Sequence, residues 1–449
     1  MTNLSTITEV DLPSCVELAL AEAQRLGASG AEVGVSMDTG LSVTARMREV
    51  ETLEYHRDRG MGVTLYRGQC KGSASTGDLS AQAIRETVAK AYSIAGFTAA
   101  DPCAGLPEQD TLARDIPDLD LNHPWSIEPD VARDLALRCE AAALDTDSRM
   151  TNSDGATLST HQGVRVFGNS LGFLAGFSST LHSLSCAVIG QSQGEMQRDY
   201  WYSSVRDYRD LDSAESIGIT AAQRTLKRLG ARQVPTCVVP VLFVPELARG
   251  LMGSFLGAIR GGSQYRRSSF LLDIAGQSVF PSWFGCTERP HLLKALASAP
   301  FDSEGVATCE RRWVDQGVVT GYVLSTYSAR KLGLKTTGNA GGVHNLIVDS
   351  GSATGQYDFN GLLKLMNRGL VVTELMGSGV NGVTGDYSRG AAGLWVENGQ
   401  IAYPVHEITI AGNLKDMYRN MVAVGTDIDV RGGIRTGSIL VDSMTIAGG

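Results

Sequence analysis

The side chains with the greatest capacity for chemistry lie in one glycine-rich stretch, "TGDYSRGAAGLW". It places a carboxylate, a phenol, a hydroxyl and a guanidinium in succession at Asp386, Tyr387, Ser388 and Arg389. Loops on a rigid sheet commonly carry binding groups, and an arginine there can hold a carboxylate or a peptide carbonyl. We predict that these four residues lie in a loop between two strands and bind substrate. The alternative is an Asp–Arg pair that only pins the turn.

Two short patterns have the spacing of known motifs in unsuitable surroundings. "GNSLG" matches the Gly-x-Ser-x-Gly nucleophile elbow, but a strand-like run follows where the elbow requires a helix, so Ser170 is predicted at a hairpin tip. "GSGVNG" (377–382) matches a dinucleotide fingerprint, but the glycines after it do not favour the helix that would hold a pyrophosphate. An autonomous hydrolase built on Ser170 is therefore a weak alternative, and nucleotide binding is not expected.

Two histidines form the best-placed pair of metal-ligating side chains. A turn near 171–172 would place His161 and His182 opposite each other on the arms of one hairpin. Two imidazoles can begin a zinc site, but no third ligand has a fixed position beside them, so a structural or surface pair is favoured. The eight cysteines are spread singly without a Cys-x-x-Cys, which predicts reduced thiols and no disulfide.

The composition is that of a globular protein with an acidic surface. The 449 residues allow two or three domains, and 43% hydrophobic and 19% charged residues are ordinary values. The formal net charge of -9 makes nucleic acid a poor partner. Acidic residues interrupt the first thirty positions, which argues against a signal peptide, and no apolar run is long enough to cross a membrane. A cytoplasmic protein without a membrane partner is expected.

The elements that must position these residues begin with helices around a meander. Amphipathic spacing predicts a helix over 11–27 and a second one ending near 96. Between them lie short strand-like runs at 31–37, 41–46, 49–55, 61–66 and 70–75. A Pro- and Asp-rich connection over 98–130 leads to a third helix that starts near Pro129. Hairpin strands follow over 150–208, with breaks predicted at 154–155, 169–172 and 193–194.

The second half is rich in strands and glycine. A helix at 213–229 and the buried strand "CVVPVLFVP" precede the apolar helical stretch "VPELARGLMGSFLGAIRGGSQYR" (244–266). After residue 300 only 325–333, 358–366 and 412–420 have helical patterns. We predict an α+β fold. Its N-terminal α/β domain (1–210) holds the meander, the flanking helices and the hairpins, and its C-terminal domain (211–449) is mainly antiparallel β.

Several long runs closely resemble one family. They are "FDSEGV" (301–306), "TYSARKLGLKTTGNAGGVHN" (326–345), "GLVVTELMG" (369–377), "GDYSRGAAGLWVENG" (385–399) and "EITIAGNLKDM" (407–417). These runs resemble the TldD/PmbA family, and specifically its PmbA (TldE) branch. Runs elsewhere extend the resemblance over essentially the whole chain, and they are far more specific than any short motif.

The resemblance bears directly on the helical stretch 244–266. The TldD branch of the family is described as zinc proteases with His-Glu-x-x-x-His on a helix and a cysteine ligand near the C-terminus. In this chain Gly253, Ser254 and Ala258 stand at the corresponding positions. Segment 244–290 contains no histidine, and no cysteine follows Cys309. The resemblance therefore implies no catalytic residue, no metal ligand and no cofactor in this chain, with zinc on a partner subunit.

The function that the resemblance implies is that of a non-metal subunit. The chain would pair with a TldD-type zinc subunit in a heterodimeric metalloprotease for unfolded or extended peptides, such as a microcin leader or an antitoxin. By itself it is expected to be inactive and to form a homodimer. Its glycine-rich strands are predicted to bind an extended peptide by strand addition. The alternative is a stand-alone peptide-binding or regulatory protein. We do not extend the family's older association with DNA gyrase to direct DNA binding.

Overall fold

The computed structural model describes residues 11–448, so the first ten residues of the predicted N-terminal domain lie outside the description. The first part of the chain builds a six-stranded antiparallel sheet in the order β3-β2-β1-β4-β5-β6. Its strands are β1 (Gly30–Arg46), β2 (Glu49–Arg67), β3 (Cys70–Thr76), β4 (Met150–Asn169), β5 (Leu174–Ser192) and β6 (Glu195–Val205). Its helices are α1 (Leu12–Arg25), α2 (Ala81–Ala95), α3 (Pro129–Leu144) and α4 (Ala214–Leu226). The helices predicted in this part are confirmed.

All four helices cover one face of this sheet because the buried residues alternate along the strands. In β1, Val33, Val35 and Met37 pack under α1 and α2, and Leu41 and Val43 pack under α3 and α4. The connection from α2 to α3 is irregular apart from a single turn at Gln109–Thr111, as predicted. Helix α4 packs against this sheet. The division after residue 210 stays a prediction.

Three of the predicted breaks are wrong. The runs 31–37 and 41–46 form the single strand β1, and 49–55 and 61–66 form β2. Gly40 lies within β1 and does not end it. Its missing side chain leaves room for the ring of His56, because a Cβ at Gly40 would lie 2.1 Å from Cε1 of His56. The break predicted at 154–155 is a bulge inside β4. The turns at 169–172 and 193–194 are confirmed.

The rest of the chain builds two further sheets. Its strands are β7 (Cys237–Phe243), β8 (Cys286–Glu288), β9 (Arg311–Asp315), β10 (Val318–Val319), β11 (Leu346–Val348), β12 (Gly351–Ser352), β13 (Gly369–Met376), β14 (Asp386–Glu397), β15 (Gln400–Asn413), β16 (Met421–Val424), β17 (Ile434–Arg435) and β18 (Ile439–Ala447). Its helices are α5 (Pro245–Ala258), α6 (Gly261–Tyr265), α7 (Thr326–Leu332), α8 (Phe359–Met366) and α9 (Leu414–Arg419). The helices predicted after residue 300 are confirmed. Both parts together confirm the α+β class.

A closed barrel forms the centre of this second part. Strand β7 pairs with β13 on one side and with β18 on the other, and β14 and β15 complete the circle. Only the β7–β13 pairing in the barrel is parallel. Closure removes the long free edges that strand addition would need in these strands. Strands β10, β9, β8, β11 and β17 form the other sheet, in that order.

The sequence analysis predicts no membrane-spanning helix. Over residues 11–448, no helix has the length and apolar character needed to cross a bilayer.

Candidate functional site

Helix α5 lies against the barrel core with one apolar face. Its first turn contains Pro245, which suits a position that lacks an intrahelical N–H bond. Leu251 and Phe255 are buried, and Tyr418 of α9 donates its hydroxyl to the carbonyl of Leu251 at 2.8 Å. The opposite face carries small residues with open space around Gly250 and Gly257. Packing of the apolar face therefore fixes the position of α5, while its opposite face presents few side-chain atoms.

The three positions that would hold a metal carry no suitable donors. Gly253 is exposed and has no side chain, and Ala258, which is 4% exposed, offers only a methyl group. The hydroxyl of Ser254 donates to the carbonyl of Gly250 at 3.1 Å. Zinc sites in proteins are built from imidazole, thiolate and carboxylate groups. Within residues 11–448, no three or more His, Cys, Asp or Glu side chains are arranged to hold a metal ion. The residues present do not fit a zinc site.

A cavity of about 250 Å³ lies beside this helix. Ser254 and Ala258 line it on the helix side, and Phe270, Val380 and Gly382 line it on the other. Val380 and Gly382 belong to the loop between β13 and β14, which contains "GSGVNG". No helix follows this motif, as predicted. The structure thus brings the motif and the small-residue helix together at one end of the barrel.

Residues 386–389 are not in a loop, which corrects the prediction. They begin strand β14 and pair with Asn413 to Ile410 of β15. On their other side, the N–H of Ser388 donates to the carbonyl of Gly379 at 2.7 Å, and the N–H of Asn381 donates to the carbonyl of Asp386 at 2.8 Å. Both backbone edges are occupied, so a peptide strand cannot add here without displacing the loop.

The four side chains differ in their surroundings, and that of Ser388 is exposed. Tyr387 is 3% exposed, packs edge-on against Phe243 at 6.4 Å, and has its pKa raised to about 12 by burial. Asp386 accepts from Thr384 Oγ1 at 2.6 Å, and this bond lowers the pKa of the carboxyl. Arg389 donates Nη2 to the carbonyl of Gly377 at 2.7 Å. Asp386 and Arg389 therefore hold neighbouring segments, while Tyr387 belongs to the core.

Gly379 explains why this loop resembles a nucleotide-binding motif. A Cβ at this position would lie 1.7 Å from the carbonyl oxygen of Ser388, so only glycine fits. The N–H of Phe270 also donates to the carbonyl of Gly382 at 3.0 Å, which ties the loop to the segment after α6. The glycines serve close backbone packing. Nothing in the sequence indicated that Phe270 contacts this loop, because it lies in an irregular segment far away in the chain.

Ser170 is confirmed at a hairpin tip. Its N–H donates to the carbonyl of Ala31 at 2.9 Å, and its hydroxyl accepts from the N–H of Ala31 at 3.0 Å. These two bonds clamp the β4–β5 turn to β1. They give the serine a structural role.

The prediction that His161 and His182 lie opposite each other is wrong, because the strand register differs by one residue. His182 pairs with Thr160, and His161 pairs with Leu181, so the two imidazoles lie on opposite faces of the sheet. His182 is buried between Thr160 Oγ1 at 2.8 Å and the carbonyl of His123 at 2.9 Å, and burial lowers its pKa. The ring of His161 lies 4.6 Å from that of His56.

A buried carboxylate was missed by the sequence analysis. Glu288 is 1% exposed and accepts from Trp313 Nε1 at 3.0 Å and from Asn339 Nδ2 at 2.8 Å. His344 donates to it from the backbone N–H at 2.7 Å and contacts it through Nδ1 at 2.9 Å. The carboxylate joins β8, β9 and the segment before β11, so its role is structural. The only signal was the polar run "GNAGGVHN" among glycines.

Solved structures share this architecture of an open, helix-backed sheet followed by a closed barrel. A Bacteroides thetaiotaomicron protein described as a suggested modulator of DNA gyrase has a TM-score of 0.92 and 27% identity, covering 99% of this chain and 100% of that one. TldE from Thermococcus kodakarensis has a TM-score of 0.85 at 18% identity, covering 97% and 100%, and shares the fold. The fold is thus that of the TldE-like proteins.

Family models narrow this class to one family. The PmbA/TldA metallopeptidase domain 1 matches residues 31–95, the central domain matches 122–229 and the C-terminal domain matches 236–448. The chain is 53% identical to the Metalloprotease PmbA of Escherichia coli O157:H7, over 98% of this chain and 96% of that protein. It belongs to the PmbA/TldD family, in the PmbA/TldE branch.

One organism illustrates the two branches. The Metalloprotease PmbA homolog of Haemophilus influenzae is 48% identical over 100% of this chain and 98% of that protein. The Metalloprotease TldD homolog of the same organism is 21% identical over 85% and 82%.

Proposed function

We propose that this chain is the non-metal subunit of a heterodimeric zinc metalloprotease whose other subunit is of the TldD type. The observation that carries the proposal is the donor set of α5. Gly253, Ser254 and Ala258 supply no imidazole and no carboxylate where the catalytic branch of the family has them. Because a hydrolytic zinc ion needs such ligands and an activated water, the chemistry is assigned to the partner.

The comparisons support a two-subunit arrangement. Haemophilus influenzae has both a PmbA homolog and a TldD homolog, and so does Buchnera aphidicola from Acyrthosiphon pisum. Two diverged copies in one cell are what a heterodimer of related subunits requires. We further propose that the complex works in the cytoplasm and that the chain forms a homodimer when its partner is absent.

The proposed substrates are unfolded or extended peptides, of the microcin-leader or antitoxin type. In this chain, the strand that carries Asp386, Ser388 and Arg389 pairs with the loop that lines the α5 cavity. Asp386 and Ser388 are exposed there, Arg389 is half-buried, and Tyr387 is buried in the core. Substrate contact would come through these side chains, since the backbone of this strand is paired on both edges.

Metal content and cleavage, measured with and without the partner, test the assignment. We expect the purified chain to bind no stoichiometric zinc and to cleave no peptide. A mixture with a TldD-type subunit should cleave an unfolded peptide, and a chelator should abolish that cleavage; the TldD-type subunit alone is the control. Stoichiometric zinc in this chain alone, with cleavage that a chelator stops, would overturn the proposal. Peptide binding without any cleavage by the mixture would favour the stand-alone binding protein.

The contribution of residues 386–389 needs a separate variant. Arg389→Ala removes the bond to the carbonyl of Gly377 and should reduce cleavage by the mixture, while the remote Arg165→Ala on the open sheet face should not. Unchanged cleavage by the Arg389→Ala mixture would remove this strand from the substrate site.

A further inference from the structure

A second cavity, larger than the one beside α5, lies between the two parts of the chain. Its volume is about 610 Å³, an ordinary size for a ligand pocket. Strand β6 and helix α4 form one wall, and α8, β13, β14 and β15 form the other. The start of α5 (244–246) and the loop 427–431 also line it. The two cavities share no lining residue, so this one is separate from the candidate site.

The cavity runs along helix α4. Asp212 lines it just before the helix, and the N–H of Asp212 donates to Oγ of Ser203 in β6 at 3.2 Å. Lys227 lines it just after the helix, and one turn earlier Arg224 donates Nε to Asp199 in β6 at 3.3 Å. The helical rise from Asp212 to Lys227 is about 20 Å. An extended peptide of about six residues has this length.

Three arginines in the middle of the cavity are neutralised by neighbouring carboxylates. The pairs are Arg224 with Asp199 and Glu246, Arg228 with Asp199 and Glu374, and Arg431 with Asp429. The carboxylates of Asp199, Glu246 and Asp429 are no more than 10% exposed. Asp427, which also lines the cavity, accepts from the hydroxyl of Ser438 at 2.6 Å. The middle of the cavity therefore has no arginine left without a carboxylate partner.

The two ends of the cavity carry opposite charges. Asp212 and Lys227 are both exposed, and neither has an ion-pair partner among residues 11–448. Asp210, which lines the same end as Asp212, shares Lys294 with Asp207. A negative charge is thus left over at the start of α4, and a positive charge is left over at its end.

Apolar side chains lie between these charged ends. Phe359 and Leu394 line the cavity on the barrel side. Ile401, Ile428 and Val430 line it as well and are 44%, 43% and 52% exposed. Exposed apolar side chains that gather at one place commonly mark a binding surface. The ligand that fits has an apolar middle and opposite charges at its two ends.

We propose that this cavity binds a free peptide of about six residues that carries apolar side chains. Its α-amino group lies at Asp212, its α-carboxylate at Lys227, and its apolar side chains on the barrel wall. A fatty acid or another singly charged amphiphile would leave one end of the cavity without a partner. The helix dipole favours the reverse orientation, but each end of α4 carries only about half a charge, against the full charges of the two side chains.

Free short peptides are also the class of molecule that a peptidase releases. An internal segment of a longer chain has no charged termini, so the cavity selects products over uncleaved substrates. This link to products rests on the proposed function, whereas peptide binding by the chain alone does not. The bound peptide would contact both parts of the chain and should raise its melting temperature, because it binds only the folded state.

Calorimetric titration of the chain alone with the hexapeptide Leu-Ser-Leu-Ser-Leu-Ser tests the site. We expect one peptide with free termini to bind per chain, and N-acetylation or C-amidation to weaken binding about threefold each. Asp212→Asn should weaken the free peptide about threefold without weakening the acetylated one further, and Lys227→Met should act in the same way toward the amidated one. The matched controls, Asp130→Asn on α3 and Lys90→Met on α2, lie outside the cavity and should change neither.

The apolar wall has its own pair of variants. Ile401→Ser should weaken binding of the hexapeptide, whereas Val131→Ser on α3, where the side chain is 51% exposed, should not. Thermal unfolding checks that each variant folds.

Equal affinity for free and blocked peptides, or no saturable binding, would contradict the proposal. Full affinity in all of the cavity variants would place the peptide elsewhere, including the α5 cavity. Laurate that binds through Lys227, with no binding of the hexapeptide, would show a singly charged ligand instead.

Discussion

At the residue scale, the buried Glu288 carboxylate is the most consequential single group outside the candidate site. Its donors come from Trp313, Asn339 and His344, which lie on separate segments. Glu288→Gln replaces an acceptor oxygen by an NH₂ group that faces donors, so it leaves buried polar atoms unpaired. We expect a loss of about 2–4 kcal/mol in the free energy of unfolding, measured by urea denaturation.

The matched control for this substitution is Glu310→Gln. The side chain of Glu310 is 63% exposed and pairs with Arg289 at 3.2 Å. Because exposed ion pairs contribute little, its removal should change the free energy of unfolding by less than about 0.5 kcal/mol. Equal losses for the two variants would show that the buried network does not stabilise the fold.

Sequence reasoning located the residues of the candidate site but not their orientation. The glycines around 384–393 led to the prediction of a loop. In the structure, residues 386–389 are the start of β14, because Gly379 lets the preceding loop pack closely against Ser388. The inward direction of Tyr387 depends on that pairing, since one residue of register exchanges the two faces of a strand. The missing donors of α5 were readable from the sequence because they depend on residue type alone.

At the element scale, the loop before β14 depends on one close backbone approach. Gly379→Ala places a methyl group against the carbonyl of Ser388, and neither backbone can yield without breaking the Ser388–Gly379 bond. Amide hydrogen exchange at Ser388 should accelerate about tenfold or more, the equivalent of about 1.4 kcal/mol. Gly382→Ala in the same loop is the control, since an added Cβ there meets no atom within 4 Å. Unchanged exchange in the Gly379→Ala variant would mean that the loop moves freely.

The helices and strands were largely predictable from the sequence, but the closure of the barrel was not. Alternation and helical spacing depend on neighbours a few residues apart, so helices such as α1 and α7 appear where expected. The barrel closes through β7, which pairs with strands more than a hundred residues later in the chain. No local pattern carries such a pairing.

At the scale of the whole molecule, a small polar junction joins the two parts. Asp101, in the connection after α2, accepts from the hydroxyl of Tyr327 at 2.8 Å and from Nζ of Lys331 at 3.0 Å. Arg330 donates to the carbonyl of Leu106 at 2.6 Å. The irregular connection is thus fastened to α7, which explains how a long segment without regular structure keeps one position. The sequence predicted the connection and the helix, but not their contact.

This junction predicts a particular dependence on pH. Hydrogen bonds from the backbone of Cys103 and from Tyr327 and Lys331 lower the pKa of Asp101 to about 2. An unfolded aspartate titrates near about 3.9, so the contribution of Asp101 to stability is complete above that pH and is lost as the pH falls toward about 2. The melting temperature of Asp101→Asn should therefore lie below that of the native chain at pH 7, and the difference should vanish in acid.

Asp147 provides the control that separates the junction from a local effect. Its pKa is also lowered to about 2, but through Arg149, which is only two residues away. Burial raises the pKa of Asp302 to about 6, and its titration cancels when variants are compared with the native chain at one pH. Asp101→Asn should accelerate hydrogen exchange both near residue 101 and in α7, whereas Asp147→Asn should leave α7 unchanged. If Asp101→Asn altered only its own segment, the two parts would be held together by packing, and these bonds would be incidental.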